Sequence, residues 1–381
     1  MKFSSRLPHG HLNSLSLLLD GKRRAGIPVL DLTESNPTRA GIVYPDGFLC
    51  ALSDPRAAIY EPEPFGLPAA RELIAREYDA PSAESVVMAA STSEAYSWLF
   101  KLLCDPGDEI LVPRPSYPLF DYLAALESVV VRHYGLFYDH GAWCVDFHTI
   151  ERALSQKTRA IVVVNPNNPT GHFIARHEWL DLSALCAERG IAIVSDEVFR
   201  DYAIAPRAES ALTLGGTLGD TADALTFTLH GLSKAVGLPQ MKLAWTIARG
   251  PEALVREALE RLEMIADTYL SAGTPVQCGL PSLLALREPV QRQILARLRG
   301  NLEFLQASGL RALNVEAGWY ATVTQNHGDG FAERLLRERD VLVQPGYFYD
   351  FEGAGYLVLS LLTRPEVFRE GVARIGVTLG I

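Results

Sequence analysis

Five short apolar runs constrain the fold of this chain more than any other feature. They are EILVP (109–113), SVVVRHY (128–134), RAIVVVNP (159–166), IAIVSDE (191–197) and ALTFTLH (224–230). Their apolar residues are consecutive rather than alternating, which predicts strands buried on both faces. Between most of them lie segments with helical periodicity, such as YPLFDYLAALE and HEWLDLSALCAERG. Strands of this kind alternating with amphipathic helices predict an α/β fold, with a mostly parallel central sheet covered by helices. From 251, PEALVREALERLEMIADTYLS opens on proline and runs without a breaker, predicting a long helix. After LREPVQRQILARLRGNLEFLQ the pattern changes to shorter strand-like pieces, GWYATVTQ and GYLVLSLL, and a last helix near 365–377. The expected organisation is a large domain over 45–285, with a smaller α+β domain formed by 1–44 and 286–381.

Composition narrows the partners. With 381 residues, 48% of them hydrophobic, the chain can bury a sizeable core. A formal net charge of −10, with no long basic run, argues against nucleic acid. Cys50, Cys104, Cys144, Cys186 and Cys278 are scattered, without metal-ligand or redox spacing. Reduced thiols and no metal are expected. The start, MKFSSRLPHGHLNSLSLLLDG, has only the short apolar run LSLLL and no signal-peptide core. No stretch approaches the length of a membrane span, so a cytoplasmic protein with no membrane partner is expected.

The polar residues that stand out sit where strands should end, the place where doubly wound sheets bind ligands. In AASTSEAYSWLF, Ser91-Thr92-Ser93-Glu94 fits a capping box. Such a helix start also suits a phosphate, although ordinary capping accounts for it when read alone. In VVVNPNNPTGH, two prolines and a glycine make a stiff turn that would aim the Asn168 amide. Asp196 directly follows an apolar run, where a carboxylate needs a cation or donors. A helix cap or a salt bridge to Arg200 would also explain it. In HGLSKAVGLPQMKLAW, Lys234 follows a strand, and an amine among apolar walls can become nucleophilic. In isolation it reads as a solvated loop lysine. Together, a phosphate site, an amide, a strand-end carboxylate and a strand-end lysine are what pyridoxal phosphate requires.

At these residues the sequence resembles the class I/II aminotransferases, the fold-type-I pyridoxal phosphate enzymes, over roughly 30 to 375. NPNNPTG, then SDE, then GLSK, in that order, carry the resemblance, with support from YEPEPFGLPAARELIAREY, CDPGDEILVPRPSYPLF and VLVQPGYFY. The resemblance implies that Lys234 forms the Schiff base with the cofactor and shuttles a proton. It implies that Asp196 pairs with the pyridine nitrogen, Asn168 with the ring hydroxyl, and that Tyr117 stacks on the ring. Ser91, Thr92, Ser93 and Lys242 would bind the cofactor phosphate, with Tyr60 reaching in from a partner subunit of a homodimer, and Ser233 would be a further cofactor-binding residue. An amino donor and an oxo-acid acceptor would be the small-molecule partners.

Four positions depart from the family pattern. Phe199 stands in place of a tyrosine, Gly231 in place of a serine and Lys242 in place of an arginine that binds phosphate. A lysine keeps that charge but loses the bidentate fork. Val358 stands where the family has its substrate-carboxylate arginine. Arg364, and Arg39 with Ser35 in the arm ESNPTRAG, are the substrate candidates instead. The competing readings are a lyase, decarboxylase or oxidase on the same site, and a cofactor-binding protein without activity. A DNA-binding regulator is disfavoured by the acidic charge and by the roughly 30 residues ahead of the family-like region, too few for a helix-turn-helix domain. A nicotinamide dehydrogenase is disfavoured because no strand precedes a G-x-G-x-x-G loop.

Overall fold

The computed structural model describes residues 1, 3–6, 13–211 and 217–381. A two-residue strand near the N-terminus, β1 (Leu30–Asp31), is followed by the eight strands of the main sheet. These are β2 (Val86–Ala89), β3 (Glu109–Arg114), β4 (Val130–Asp139), β5 (Ala142–Val145), β6 (Thr158–Val164), β7 (Ala192–Asp196), β8 (Thr226–Gly231) and β9 (Ala244–Arg249). Their order is β2-β9-β8-β7-β6-β3-β4-β5. The pairs β3/β4, β3/β6, β6/β7 and β7/β8 are parallel, while β9 is antiparallel to both neighbours and β5 to β4.

Both faces of the central strands are buried, which is why they read as unbroken apolar runs. Ile110, Val112, Val162, Val194 and Phe227 pack on one side with Trp98, Leu99 and Phe100 of the helix Thr92–Leu103 and Leu262 of the helix Glu252–Tyr269. Leu111, Ile161, Val163 and Ile193 pack on the other side with Trp179 and Leu182 of the helix Arg176–Arg189. Each such aliphatic side chain contributes about 1.5–3 kcal/mol by leaving water. β4 runs on past the expected stretch into a hairpin with β5. His140 and Gly141 turn it at φ +46° and +83°, the positive pair that a tight hairpin requires.

The small sheet holds β10 (Arg311–Ala312), β11 (Tyr320–Thr324), β13 (Gln344–Pro345) and β14 (Tyr356–Ser360), in the order β10-β11-β14-β13 and antiparallel throughout. The helices Arg287–Ala307, Phe331–Arg339 and Pro365–Leu379 cover it. The N-terminal segment joins this part because β1 pairs in parallel with β12 (Val341–Leu342). Leu32, fully buried, then fits against Gly371, where even a Cβ would collide with it. Phe199 and Tyr202, from the chain between β7 and β8, are buried in this same core, so the two packing units meet there.

Three elements go beyond what the sequence pattern predicts. β2 and β9 are fully buried, and β9 runs against its neighbours, a direction no local pattern encodes. LSLLL belongs to a helix, Ser14–Arg24, opened by the Asn13 side chain accepting from the Ser16 N–H and closed by Lys22, Arg23 and Arg24 in its last turn. Leu15 of this helix packs with Leu336 and Leu342. The five cysteines are free. Among the described residues, no helix is long and apolar enough to cross a membrane.

Candidate active site

The topology brings the predicted residues to one edge of the main sheet. Ser91 follows the end of β2, Tyr117 the end of β3, Asn168 the end of β6 and Lys234 the end of β8, while Asp196 is the last residue of β7. Because β9 is antiparallel, its beginning falls at the same edge, and Lys242 stands two residues before it.

Lys234 lies in a one-turn helix, Leu232–Ala235, directly after β8. Burial lowers its amine to about 8, with the Asp196 charge acting in the opposite direction. At neutral pH roughly one tenth of such an amine is uncharged, against well under one hundredth for an ordinary lysine. Its Nζ lies 4.4 Å from the centroid of the Trp319 ring and 4.9 Å from that of Phe199. The Tyr202 hydroxyl donates to the Lys234 carbonyl at 2.6 Å.

Asp196 is held from two directions. The Tyr96 hydroxyl donates to Oδ2 at 3.0 Å and the Val198 N–H to Oδ1 at 3.2 Å. Burial pushes its carboxyl above the usual range, an arrangement that favours a cationic partner. Arg200 does not supply that partner, since its Nε lies 3.6 Å from Glu197. The short cap-like bond to Val198 and the bond from Tyr96 leave the carboxylate directed by the fold rather than by an ion pair.

The turn after β6 is braced by its own side chains. Asn165 Oδ1 accepts from the Ile174 N–H at 3.0 Å, and Asn167 Oδ1 accepts from the Thr170 hydroxyl at 2.9 Å. Asn168 differs from both: it is buried, yet its Oδ1 has no hydrogen-bond partner. An unpaired buried acceptor costs about 1–3 kcal/mol, which a ligand hydroxyl would relieve.

At the start of the helix Thr92–Leu103, Ser91 Oγ accepts from the Glu94 N–H at 3.2 Å. The Glu94 carboxylate reaches back to the Ala90 N–H at 2.7 Å, one residue earlier than a standard capping box. The half-buried Thr92 and Ser93 open this helix, whose positive end suits an anion. Ser233 is half-buried beside Lys234. Lys242 is exposed and stands at φ +50°, a left-handed conformation that costs a lysine about 1–2 kcal/mol. Gly231 faces Ala244 across the β8/β9 pair, where an added Cβ would lie 3.1 Å from the Ala244 Cβ. That crowding is a local reason for glycine at this position.

Tyr117 is 40% exposed and meets Phe120 edge to face at 6.4 Å. Tyr60 is 77% exposed. Near Tyr117, potential ligand atoms of Asp121, His133 and Asp350 lie within 4.8 Å of one another. Two of these residues, Asp121 and His133, are exposed, and exposed acidic groups alone define no metal site.

The substrate candidates sit differently. Arg39 is exposed, with its Nε 3.3 Å from Glu34, and Arg364 Nη2 donates to the Arg39 carbonyl at 3.4 Å. Ser35 is half-buried in the same arm. Val358 is fully buried on β14, packed with Trp143, Tyr349 and Phe351. Sequence reasoning missed Tyr96, Tyr202, Trp319 and Tyr320. Only Tyr96 carries a local signal, standing five positions after Ser91 on the helix that follows the phosphate-type motif.

The family model for aminotransferase class I and II matches residues 37–375. The glutamate-pyruvate aminotransferase AlaA of Escherichia coli K12 is 30% identical over 285 residues, 70% of this chain and 67% of its own. The arginine–pyruvate transaminase AruH of Pseudomonas aeruginosa is 30% identical over 319 residues, 79% and 76% of the two chains. Among solved structures, alanine aminotransferase from Pyrococcus furiosus superposes with a TM-score of 0.87 at 23% identity, covering both chains fully. Aspartate aminotransferase from Thermus thermophilus gives 0.84 at 24% identity, again over the full length of both. Enzymes of this family act with pyridoxal 5′-phosphate. The unpaired Asn168 Oδ1, the oriented Asp196 and the open helix start at Thr92 fit that group. The chain belongs to the class I and II aminotransferases, enzymes of the fold-type-I superfamily that depend on pyridoxal phosphate.

Proposed function

We propose that this aminotransferase moves an amino group between an amino acid, or a related amine, and a small 2-oxo acid, with Lys234 as the reacting amine. The observation that carries the reading is the Lys234 amine itself, lowered by burial and placed after β8 at the same strand edge as Asp196 and Asn168. Pyridoxal phosphate supplies an electron sink that stabilises the charge left when the substrate Cα loses its proton. Lys234 Nζ takes that proton as general base and returns it as acid. Asp196 would meet the ring nitrogen and favour its protonated form. Asn168 would meet the ring hydroxyl, and Tyr117 would stack on the ring. Ser91, Thr92, Ser93 and Lys242 would hold the phosphate, with Ser233 a further cofactor contact. Phe199 brings no hydroxyl to the site, so the protonation of the reacting nitrogen rests on burial and on Asp196.

Both relatives described above carry pyruvate in their names, which supports a small 2-oxo acid as acceptor. Arg39 and Arg364 are the cations for the substrate carboxylate, since Val358 leaves none on β14. Tyr60, exposed in the single chain, would reach the phosphate of a neighbouring subunit in a homodimer with shared sites. The enzyme works in the cytoplasm.

The test is a single-turnover titration of the purified, cofactor-loaded chain with a panel of amino donors. Conversion of the bound cofactor to its amino form by at least one donor, reversed by pyruvate, is the expected result. Lys234→Ala should lose both the conversion and the visible absorbance of the covalently held cofactor. A panel in which no donor gives the amino form, but ammonia, carbon dioxide or peroxide is released, would favour elimination, decarboxylation or oxidation.

A further inference from the structure

The segment Glu316–Trp319 links the small sheet to the reacting amine. The Gly171 carbonyl, at the end of the turn that carries Asn168, accepts from the N–H groups of Glu316 at 2.9 Å and Ala317 at 2.7 Å. Gly171 stands at φ +70°, and an added Cβ would lie 2.6 Å from the Ala317 carbonyl oxygen, so the contact requires glycine. The Gly318 N–H donates to the Tyr202 carbonyl at 3.0 Å. From the other side, the Leu361 N–H, just beyond β14, donates to the Trp319 carbonyl at 2.8 Å.

These bonds fix a fully buried tryptophan beside Lys234. The Trp319 ring meets Phe199 edge to face at 5.3 Å and Tyr202 at 5.1 Å. Its Nε1 is buried without a hydrogen-bond partner, so packing rather than a hydrogen bond orients the indole. Lys234 Nζ then lies over both the Trp319 and the Phe199 faces, at 4.4 and 4.9 Å.

We propose that Trp319 is a positioning residue, presented by the small domain, that holds the Lys234 amine against its ring face together with Phe199. The inference rests on the reading of Lys234 as the reacting amine. An ammonium over an aromatic face is attracted by the ring quadrupole, while the same rings exclude water from it. The charge acting on the amine is that of Asp196, at the end of β7. Tyr96 reaches it only through Asp196, and Tyr202 faces the Lys234 carbonyl rather than the amine. Because the segment that carries Trp319 is bonded through Glu316 and Ala317 to the Asn168 turn, and through the Trp319 carbonyl to the end of β14, a shift of the small domain changes the surroundings of the amine directly.

The experiment measures the protonation of Lys234 in the full chain freed of cofactor. The pH dependence of acetylation by acetic anhydride is read on the Lys234 peptide by mass spectrometry. The midpoint reports the amine whatever reaction the enzyme performs and however accessible the site is. Trp319→Phe keeps a ring face and should keep the midpoint. Trp319→Leu keeps apolar bulk without a ring, and its midpoint should fall by roughly half to one pH unit. Phe199→Leu should move it in the same direction, and it carries the test if melting curves show Trp319→Leu unfolded. An unchanged or raised midpoint in a folded leucine variant, or equal shifts in Trp319→Phe and Trp319→Leu, overturns the proposal. Failure of the Lys234 assignment looks different: cofactor absorbance then survives in Lys234→Ala, and the midpoints above are unaffected.

Discussion

At the C-terminal edge of the main sheet, polar groups are mounted on fully buried strands; on β14 of the small sheet, the middle position is Val358 among Trp143, Tyr349 and Phe351. The first region accepts the desolvation of Asp196, Lys234 and the Asn168 carbonyl oxygen because their backbones are locked in the sheet or its turns. The second has no ionic group at its centre, and the nearby cations Arg39 and Arg364 are exposed on the N-terminal arm and ahead of the last helix. On the assignment proposed above, the cofactor side of this enzyme is pre-organised, while a substrate carboxylate would be met by solvated side chains. Pre-organised charges give large effects when removed, because the fold does not readjust around them.

Asp196 offers the largest test of this contrast. Asp196→Ala should cut turnover about 100- to 1,000-fold. Its folding stability should stay close to that of the parent, because burial already disfavours the Asp196 charge. Steady-state rates beside denaturant melts check both halves, and a proportional loss of stability would place Asp196 in the scaffold instead. Val358→Arg tests the opposite region. Burying an unpaired guanidinium in that aromatic cluster should cost on the order of 3–5 kcal/mol, seen as a fall in the denaturant midpoint. A stable variant with improved use of α-amino acids would show that β14 can take the family's arginine. Gly171→Ala probes the tie between the regions. The left-handed backbone and the close Ala317 carbonyl together should cost about 1–3 kcal/mol, and the loss should be smaller if the turn moves independently of the small domain. The smallest effect belongs to the arm. Arg39→Ala and Arg364→Ala should each change stability by less than about 0.5 kcal/mol. Each should raise the KM for α-amino acid donors roughly tenfold and leave that for amines without a carboxylate unchanged. Equal KM values for the two donor classes would remove both arginines from the substrate site.

Much of the cofactor side is legible in the amino-acid sequence. The runs ending at Val164, Asp196 and Gly231 announce buried strands, and polar residues at or just after such strand ends stand where doubly wound sheets bind ligands. The Ser91 cap is legible for the same reason, because helix starts carry local chemistry. Trp319 and Tyr202 are not, and Tyr96 is marked only by its place on the helix after Ser91. Each acts on a residue 85, 32 or 100 positions away, and nothing in AGWYATV or FRDYAI distinguishes a site tyrosine or tryptophan from a core one. The reversed direction of β9, which delivers Lys242 to the site edge, is equally hidden.

Local sequence is enough to specify that strands and helices alternate and which strand ends carry a lysine, an aspartate and an asparagine. These are matters of periodicity and residue type, set by burial and backbone geometry within a few residues. Tertiary packing alone settles that Asp196 is met by Tyr96 rather than Arg200, that Val358 lies in an aromatic core, and that Trp319 of the small domain stands over the Lys234 amine. Those contacts join distant segments, and packing is chosen by the whole chain at once rather than by any stretch of it.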